Sequence, residues 1–589
     1  MNFAGLDLEN AVIDPDDAFY IDFLRDYYIV TADGQYLFAT RKSGRNPDRV
    51  FYAIPNGYRL GKNQRFFNNN KGKVICEIAF RYLQSGIPVI GLSGIQGERR
   101  FETGLDFVVS AVVPHSAHLA WMGKQMVFPS KGSIIPRVFN YAIPEGLPPD
   151  LRAEIKSFYP EYEEPLVLFD LTGIKNDVRR VLTIGSDYFG EVFKKPNLTM
   201  VWNRAEANGF VSYHAGCTED RVLKGLSGTG KTTLSVGDRV EQDDAVIGIP
   251  IERNGRISEV ELVGLEAASF AKSEGLNENS PEWRGLMRSR EPINGVRPIV
   301  LAMNIDCENI DFITRVVKGH EVKVPAGNGG HLICTSYEKS GTRNGRFIFR
   351  FSELNRNWGK NREILKSEGL TFKRFDIVEP LIRAITPDMA VALDSACESV
   401  VTSAVSGKRE GSRIRSYAAT DFMAREASSQ ALLKLRIYED LGLGFDGKLL
   451  FFVINTGWIG NHDVNGNPTG KGEKITVDDS KNLLHLVENR LIKRWIVNPV
   501  FGYLIPDPIE LEEEHGMEGF CERFNPMKYY SEEEILRISK RDLKERTEHL
   551  RWIFHGEEGS EKLKGVTSMW DRKLPDAREV REFYVRNYR

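Results

Sequence analysis

Residues 225–235 read Gly225-Leu226-Ser227-Gly228-Thr229-Gly230-Lys231-Thr232-Thr233-Leu234-Ser235, a complete G-x-x-x-x-G-K-[ST] pattern. No other stretch restricts so strongly what this chain can fold into. The glycines let backbone N–H groups curl around anionic oxygens, the lysine reaches the outer phosphates, and the hydroxyl after it suits a magnesium ion. A helix is expected to follow, adding the positive end of its dipole. The competing reading is a glycine-rich turn that holds no ligand.

Bulk properties narrow the class. The 589 residues can bury a large core, and that length favours two or more lobes. With 79 basic and 82 acidic residues the net charge is -3, which gives no global case for nucleic-acid or anionic-membrane binding. The six cysteines, Cys76, Cys217, Cys307, Cys334, Cys397 and Cys521, are scattered and form no C-x-x-C pair. Reduced thiols in a cytoplasm are therefore expected, rather than a disulfide framework or a zinc site. Residues 1–17 carry Asp7, Glu9, Asp14, Asp16 and Asp17 without an apolar stretch of signal-peptide length, and the longest apolar run, 449–454, is too short to cross a bilayer.

Short apolar runs at 89–92, 106–113, 165–169, 297–303 and 448–454 alternate with helical patterns, which predicts an α/β protein with mixed sheets. The run 449–454 lacks polar alternation and is expected to be a strand buried on both faces. After about residue 505 the character changes. Pro506 and Pro508 break the pattern, Ser531-Glu532-Glu533-Glu534 has the form of a capping box, and Ile535, Leu536, Leu543, Leu550 and Ile553 follow at helical spacing. The expected organisation is 1–208, 209–505 and a helical cover at 506–589.

Three clusters stand near the glycine-rich loop. His214 lies in 209–215, which reads as a strand before a turn at 218–220; Asp243-Asp244 follows the loop; and Tyr188-Phe189-Gly190-Glu191-Val192-Phe193-Lys194-Lys195 precedes it. Paired carboxylates close to a phosphate cradle suit a divalent metal. Each cluster also has an ordinary reading, as a core histidine, a turn or a solvated lysine.

Together the clusters resemble the ATP-dependent phosphoenolpyruvate carboxykinases, whose phosphate loop matches residues 225–235 along its whole length. Further similar segments fall in the family's order: 43–49 (Ser43-Gly44-Arg45-Asn46-Pro47-Asp48-Arg49), 264–272 (Gly264-Leu265-Glu266 through Lys272), Thr342-Arg343 and Asn455-Thr456-Gly457-Trp458. The resemblance implies a two-lobed carboxykinase-like α/β fold with mixed sheets and the P-loop in the C-terminal lobe. It implies interconversion of oxaloacetate with phosphoenolpyruvate and CO2 at the expense of ATP, with Mn2+ and Mg2+ as metals.

Carried over, the Mn2+ ligands are Lys194, His214 and Asp244. A lysine ligates only when neutral, so the Lys194 pKa is expected to be depressed by cations such as Lys195 or Arg45 and by the metal. Mg2+ falls to Thr232, with Asp243 acting through water, while Ser227, Gly228, Thr229, Gly230, Lys231, Thr232 and Thr233 cradle the phosphates. Lys272 contacts the transferring group, Glu266 belongs to the catalytic set, and Arg45, Tyr188 and Arg343 surround the carboxylated substrate. Arg346 is an equal candidate for the place of Arg343. Adenine recognition falls to Lys474, Ile475 and Ser480. The implied partners are small molecules, with no nucleic acid or membrane, on a monomer or small homo-oligomer.

The departures are specific. After Asp244 the chain has Ala245-Val246-Ile247 where the family continues Glu-His-Gly, Ala267-Ala268 replace two glycines, and Phe189-Gly190 replace another pair. Lys474 keeps a charge beside the base but loses the planar stacking of arginine. The region 275–340 is rebuilt. A P-loop kinase acting on a different acid or alcohol is the runner-up, and a non-catalytic nucleotide-binding protein is the third reading.

Overall fold

In the computed structural model, residues 1–588 are described except positions 227, 238, 293, 294, 361, 401–412, 418, 421, 445 and 446. Ser227 of the glycine-rich loop thus lies outside the described residues. The chain is a mixed α/β protein built on several sheets, most of them mixed or antiparallel.

One large sheet is formed early in the chain. Its order is Ala11–Ile13, Val89–Gln96, Thr103–Ser110, Pro136–Ile143, Arg179–Ile184, Leu166–Asp170 and Val50–Ala53, with Phe128–Pro129 paired to one side. Pro136–Ile143 is parallel to both neighbours, whereas Val89–Gln96 and Leu166–Asp170 run antiparallel to Thr103–Ser110 and Arg179–Ile184. The helix Asn69–Leu83 covers this region. Asn68 caps its first turn, and Ile75, Ile78, Ala79 and Leu83 recur at three- and four-residue spacing to make its buried face.

The second large sheet carries the glycine-rich loop. Its three central strands, Arg221–Gly225, Ser367–Phe372 and Leu450–Asn455, are parallel, and antiparallel strands flank them. Every residue of Leu450–Asn455 is buried, because the sheet is covered on both faces, so its side chains need no polar alternation. The loop leaves the carboxyl end of the first central strand. Thr456 leaves that of the third, at the edge where open α/β sheets place ligands.

A four-stranded antiparallel sheet (Val211–Tyr213, Val246–Arg253, Arg256–Gly264, Glu363–Ile364) and a five-stranded one adjoin it. The five-stranded sheet, ordered Ala268–Lys272, Arg346–Arg350, Leu301–Met303, Tyr36–Phe38 and Ile29–Val30, takes its last two strands from the start of the chain. The largest buried apolar cluster runs from Tyr20 to Tyr588, so sequence-distant segments share one core.

Three local expectations change. Residues 209–215 are not one strand: Val211–Tyr213 belongs to the four-stranded sheet and Ala215–Thr218 to the large one, with His214 at the crossing. The chain switches sheets there because Ala215–Thr218 pairs back on Arg221–Gly225 as a hairpin. The apolar run 297–303 contributes only Leu301–Met303. The helix after the glycine-rich loop is just Lys231–Ser235, so its dipole is that of little more than one turn.

Beyond residue 505 the chain is mainly helical. Ser531 and Glu534 form the capping box of Glu532–Phe554, whose buried face includes Ile535, Leu543, Leu550 and Ile553. None of the six cysteines, all among the described residues, forms a disulfide. Among the described residues no helix is long and apolar enough to cross a membrane.

Candidate active site

The site is organised around one carboxylate. Asp244 sits in the bend between Val240–Gln242 and Val246–Arg253. Its Oδ2 accepts from Lys194 Nζ at 2.7 Å and Lys195 Nζ at 3.1 Å. Its Oδ1 accepts from Lys231 Nζ at 2.7 Å and lies 2.8 Å from His214 Nε2. Four sequence-distant segments therefore meet at one side chain. Two adjacent lysines reach it because residues Gly190–Lys194 form a π-helical turn leading into the helix Lys195–Ala207. The wider turn departs from α-helical spacing, a distortion that recurs at functional sites.

The charges are strongly coupled. Burial alone would raise the Asp244 carboxyl, but Lys194, Lys195 and Lys231 outweigh it and hold it well below the usual carboxylate range. Burial, then Lys231, lowers His214 to about 4, so its imidazole is neutral near pH 7. Lys194 departs from expectation. Burial presses its ammonium down, but Asp244 and Glu266 reverse the effect and the net shift is upward. The depressed lysine is Lys195, brought to about 7 by burial and by Lys194 and Arg45 against the pull of Asp244. The physical reason is distance: Lys194 lies closer to Asp244 and also faces Glu266 at 3.8 Å. Burial raises Glu266 itself to about 7, with Lys194 opposing.

Among the described residues no cluster of three His, Cys, Asp or Glu side chains is arranged to hold a metal ion. The set at Asp244 has two such groups, and its third donor is a lysine. Its chemistry nonetheless fits a divalent ion: a neutral imidazole and an ionised carboxylate stand 2.8 Å apart with Lys194 Nζ 2.7 Å from the same carboxylate. Ligand atoms that share one ion lie roughly 3 Å apart. Lys194 must release its proton to join them. Nearby, Asp243 Oδ1 and both Glu266 carboxylate oxygens are buried without a hydrogen-bond partner, so acceptor capacity is left over. The other oxygen of Asp243 accepts from Ser269 Oγ at 2.8 Å.

The glycine-rich loop is held by hydroxyls. Thr229 Oγ1 donates to Leu226 O at 2.8 Å and lies 2.6 Å from Thr371 Oγ1, while Thr456 Oγ1 donates to Thr229 O at 2.7 Å. A Cβ on Gly225 would sit 2.0 Å from Thr371 Oγ1, so close packing demands glycine there. Gly230 has φ +87°, a left-handed backbone that glycine supplies without strain. Lys231 is buried and turned onto Asp244, whereas Thr232 and Thr233 are half-buried on the following turn.

A second wall lies across the cluster. Asn46 N donates to Glu191 Oε1 and Ser186 Oγ to Glu191 Oε2, both at 2.6 Å, which ties the segment bearing Arg45 to the π-helical turn. Asn344 Nδ2 bridges Ser43 O at 2.6 Å and the Tyr188 hydroxyl at 3.1 Å. Arg45, Tyr188 and the 343–346 turn are thereby gathered, with Arg45 and Arg343 exposed. Arg346 is pinned instead, donating to Asn344 Oδ1 at 3.1 Å and Phe270 O at 3.3 Å, whereas Arg343 is exposed and hydrogen-bonds no side chain among the described residues. Sequence reasoning missed Phe422. Its ring carries Lys195 at 3.7 Å and Arg45 at 5.2 Å on its face and His214 at 5.0 Å edge-on. No local signal marks it.

Other expected residues are not drawn to Asp244. Lys272 Nζ pairs with Glu274 Oε2 at 2.7 Å. Lys474 is exposed and Ile475 buried, while Ser480 Oγ is returned to Thr476 O at 2.9 Å within its own helix and so is already occupied.

The site is thus that of a mixed α/β protein with a glycine-rich loop opening onto a lysine–histidine–carboxylate cluster. Residues 170–283 match the family model described as phosphoenolpyruvate carboxykinase, in its ATP-dependent form, and the match spans Tyr188, Lys194, His214, the loop, Asp243-Asp244, Glu266 and Lys272. The match at residues 170–283 supports a relation of this part of the chain to the ATP-dependent phosphoenolpyruvate carboxykinase family. That relation implies an enzyme of carboxykinase type, a nucleotide and divalent metals in general. No curated protein matches the chain.

Proposed function

We propose that the protein interconverts oxaloacetate with phosphoenolpyruvate and CO2, using ATP on a two-lobed fold whose P-loop is residues 225–235. The observation that carries this reading is the convergence of Lys194, His214 and Lys231 on Asp244, facing the wall that bears Arg45 and Tyr188. Lys194, His214 and Asp244 would hold Mn2+, and Thr232 with Asp243 would hold the Mg2+ of the nucleotide. Metals held by these residues would supply Lewis-acid stabilisation of enolate and phosphoryl charge. Arg45 and Arg343 would present planar forks to substrate carboxylates, with the Tyr188 hydroxyl, bonded to Asn344, on the same wall. Lys231 is to leave Asp244 for the outer phosphates, and Lys272 neutralises charge on the transferring group. Gly228, Thr229, Gly230 and Thr233 line the phosphate path, Glu266 keeps Lys194 in place, and Lys474 with Ile475 borders the base.

The test is incubation with Mn2+, Mg2+, oxaloacetate and ATP, GTP or pyrophosphate in turn, with phosphoenolpyruvate as the readout. Product that disappears in Lys231→Ala supports the reading. No product with any donor, with nucleotide hydrolysis that still depends on Lys231, would favour a small-molecule kinase of the same fold. The exposed Lys474 and the occupied hydroxyl of Ser480 are the observations that keep that second reading in view.

A further inference from the structure

Lys272 ends the strand Ala268–Lys272, and Glu274 follows two residues on. Their charged groups meet at 2.7 Å, each side chain about one-third exposed. Strand alternation sets the direction. Ser269 reaches Asp243 on one face, while Phe270, on the other face with Lys272, lies beside Tyr188 with ring centroids 6.2 Å apart. Lys272 thus opens toward the wall that carries Tyr188, Asn344 and Arg346, and the carboxylate found on it there is the chain's own.

Beyond Lys272, a second lysine interacts electrostatically with Glu274. Lys373, at the carboxyl end of the central strand Ser367–Phe372, is held below the ordinary lysine range by burial and by Lys474, with Glu274 opposing. Burial and then Glu274 push the Tyr337 hydroxyl up to about 12, and Arg343 acts against them. Glu274 thus touches Lys272 and acts electrostatically on Lys373, and Arg343 acts on the same Tyr337 hydroxyl as Glu274; three cations with a reach to this place suit a polyanion. An anion that reaches Lys272 must first displace the carboxylate already there.

We propose that Glu274 is a specificity-determining residue that occupies Lys272 in place of a phosphate, so that a polyphosphate anion binds by displacing it. The inference rests on the reading of the loop and Lys272 as a phosphate site. It concerns binding, however, and does not depend on which reaction follows. Ligands with too little charge to compete leave the internal pair intact, while a tri- or tetra-anion separates it.

The experiment is calorimetric titration of inorganic pyrophosphate and, separately, ATP into the full chain, as wild type, Glu274→Gln, Lys272→Met and the double variant. Glu274→Gln is expected to bind roughly three- to tenfold more tightly at low salt. The gain should shrink in about 0.5 M salt, where exposed charges are screened. In the Lys272→Met background the same change should alter affinity less than about twofold, since a coupling between touching residues vanishes when one is gone. A merely structural Glu274 would weaken binding or lower the unfolding temperature; unchanged or weaker binding by Glu274→Gln, or by Glu274→Ser if the first variant unfolds early, overturns the proposal. So does equal tightening without Lys272. Tightening for pyrophosphate alone identifies a bare polyphosphate as the ligand, and tightening for ATP identifies a nucleotide. Absence of phosphoenolpyruvate in the assay above leaves this comparison intact, whereas binding of neither ligand to any form overturns it together with the phosphate reading.

Discussion

At the scale of single residues the distinguishing feature is a pair of adjacent lysines pushed in opposite directions. Lys194 is stabilised as a cation by Asp244 and Glu266, and Lys195 is held near 7 by burial and its neighbours. If Lys194 is a metal ligand, Mn2+ must replace its proton. Affinity measured by electron paramagnetic resonance should then rise about tenfold per pH unit across the neutral range, with a proton released on binding. An affinity that is flat from about pH 6.5 to 8.5 removes Lys194 from the ligand set. His214→Ala should weaken the same binding by about tenfold or more, since it deletes the neutral imidazole. Both side chains were legible from the order Glu191, Lys194, His214 and Asp243-Asp244 around the loop. The direction of the Lys194 shift was not, because it depends on ångström-scale distances to carboxylates from other segments.

At the scale of elements the π-helical turn Gly190–Lys194 ties the two walls of the site together. It aims Lys194 at Asp244 and also presents Glu191 to the segment bearing Arg45. Replacing Glu191 with Gln removes a charge-assisted acceptor from Asn46 N and Ser186 Oγ, so that segment should loosen. The expected outcome is a several-fold higher KM for the proposed carboxylate substrate with kcat little changed, and a stability loss of about 1–2 kcal/mol. Steady-state kinetics and thermal unfolding check it; an unchanged KM with lower kcat would place Glu191 in the chemistry instead. The all-buried strand Leu450–Asn455 and the capped helix Glu532–Phe554 were readable because their signals are local. The split of residues 209–215 between two sheets was not, since apolar periodicity does not say which sheet a strand joins.

At the scale of the whole molecule a buried ionic network fastens the helical end of the chain to the sheet that carries the loop. Arg374 pairs with Asp376 at 2.7 Å and with Glu398 and Asp542, while Arg546 meets Glu398 at 2.9 Å and Arg415 meets it at 2.8 Å. Burial opposes ionisation of Asp376, Glu398 and Asp542, but Arg374 and its fellow arginines prevail and hold all three low. Carboxylates depressed in the folded state bind fewer protons there than in the unfolded chain. Their stabilisation is therefore complete above the ordinary carboxylate range and is lost as pH falls below about 4. Unfolding midpoints measured across pH should drop steeply there. Asp542→Asn should cost about 3–5 kcal/mol at neutral pH, because it leaves arginines buried without their partner, and it should flatten the acid limb. An acid limb identical to wild type would remove Asp542 from this linkage. A division near residues 208 and 505 is proposed for the chain, with the strands Ile29–Val30 and Tyr36–Phe38 lent to the sheet formed beyond the first boundary.

The glycine-rich loop, the order of candidate ligands around it and the α/β class with mixed sheets could be read from residues alone, because each is a matter of spacing and composition along the chain. Tertiary structure decided that Asp244 gathers three lysines and a histidine, that Phe422 carries Lys195 and Arg45, that Arg346 is occupied while Arg343 is exposed, and that Glu274 sits on Lys272. Those outcomes depend on distances of a few ångström between segments remote in sequence, where burial and opposing charges set which group is charged and which side chain is free.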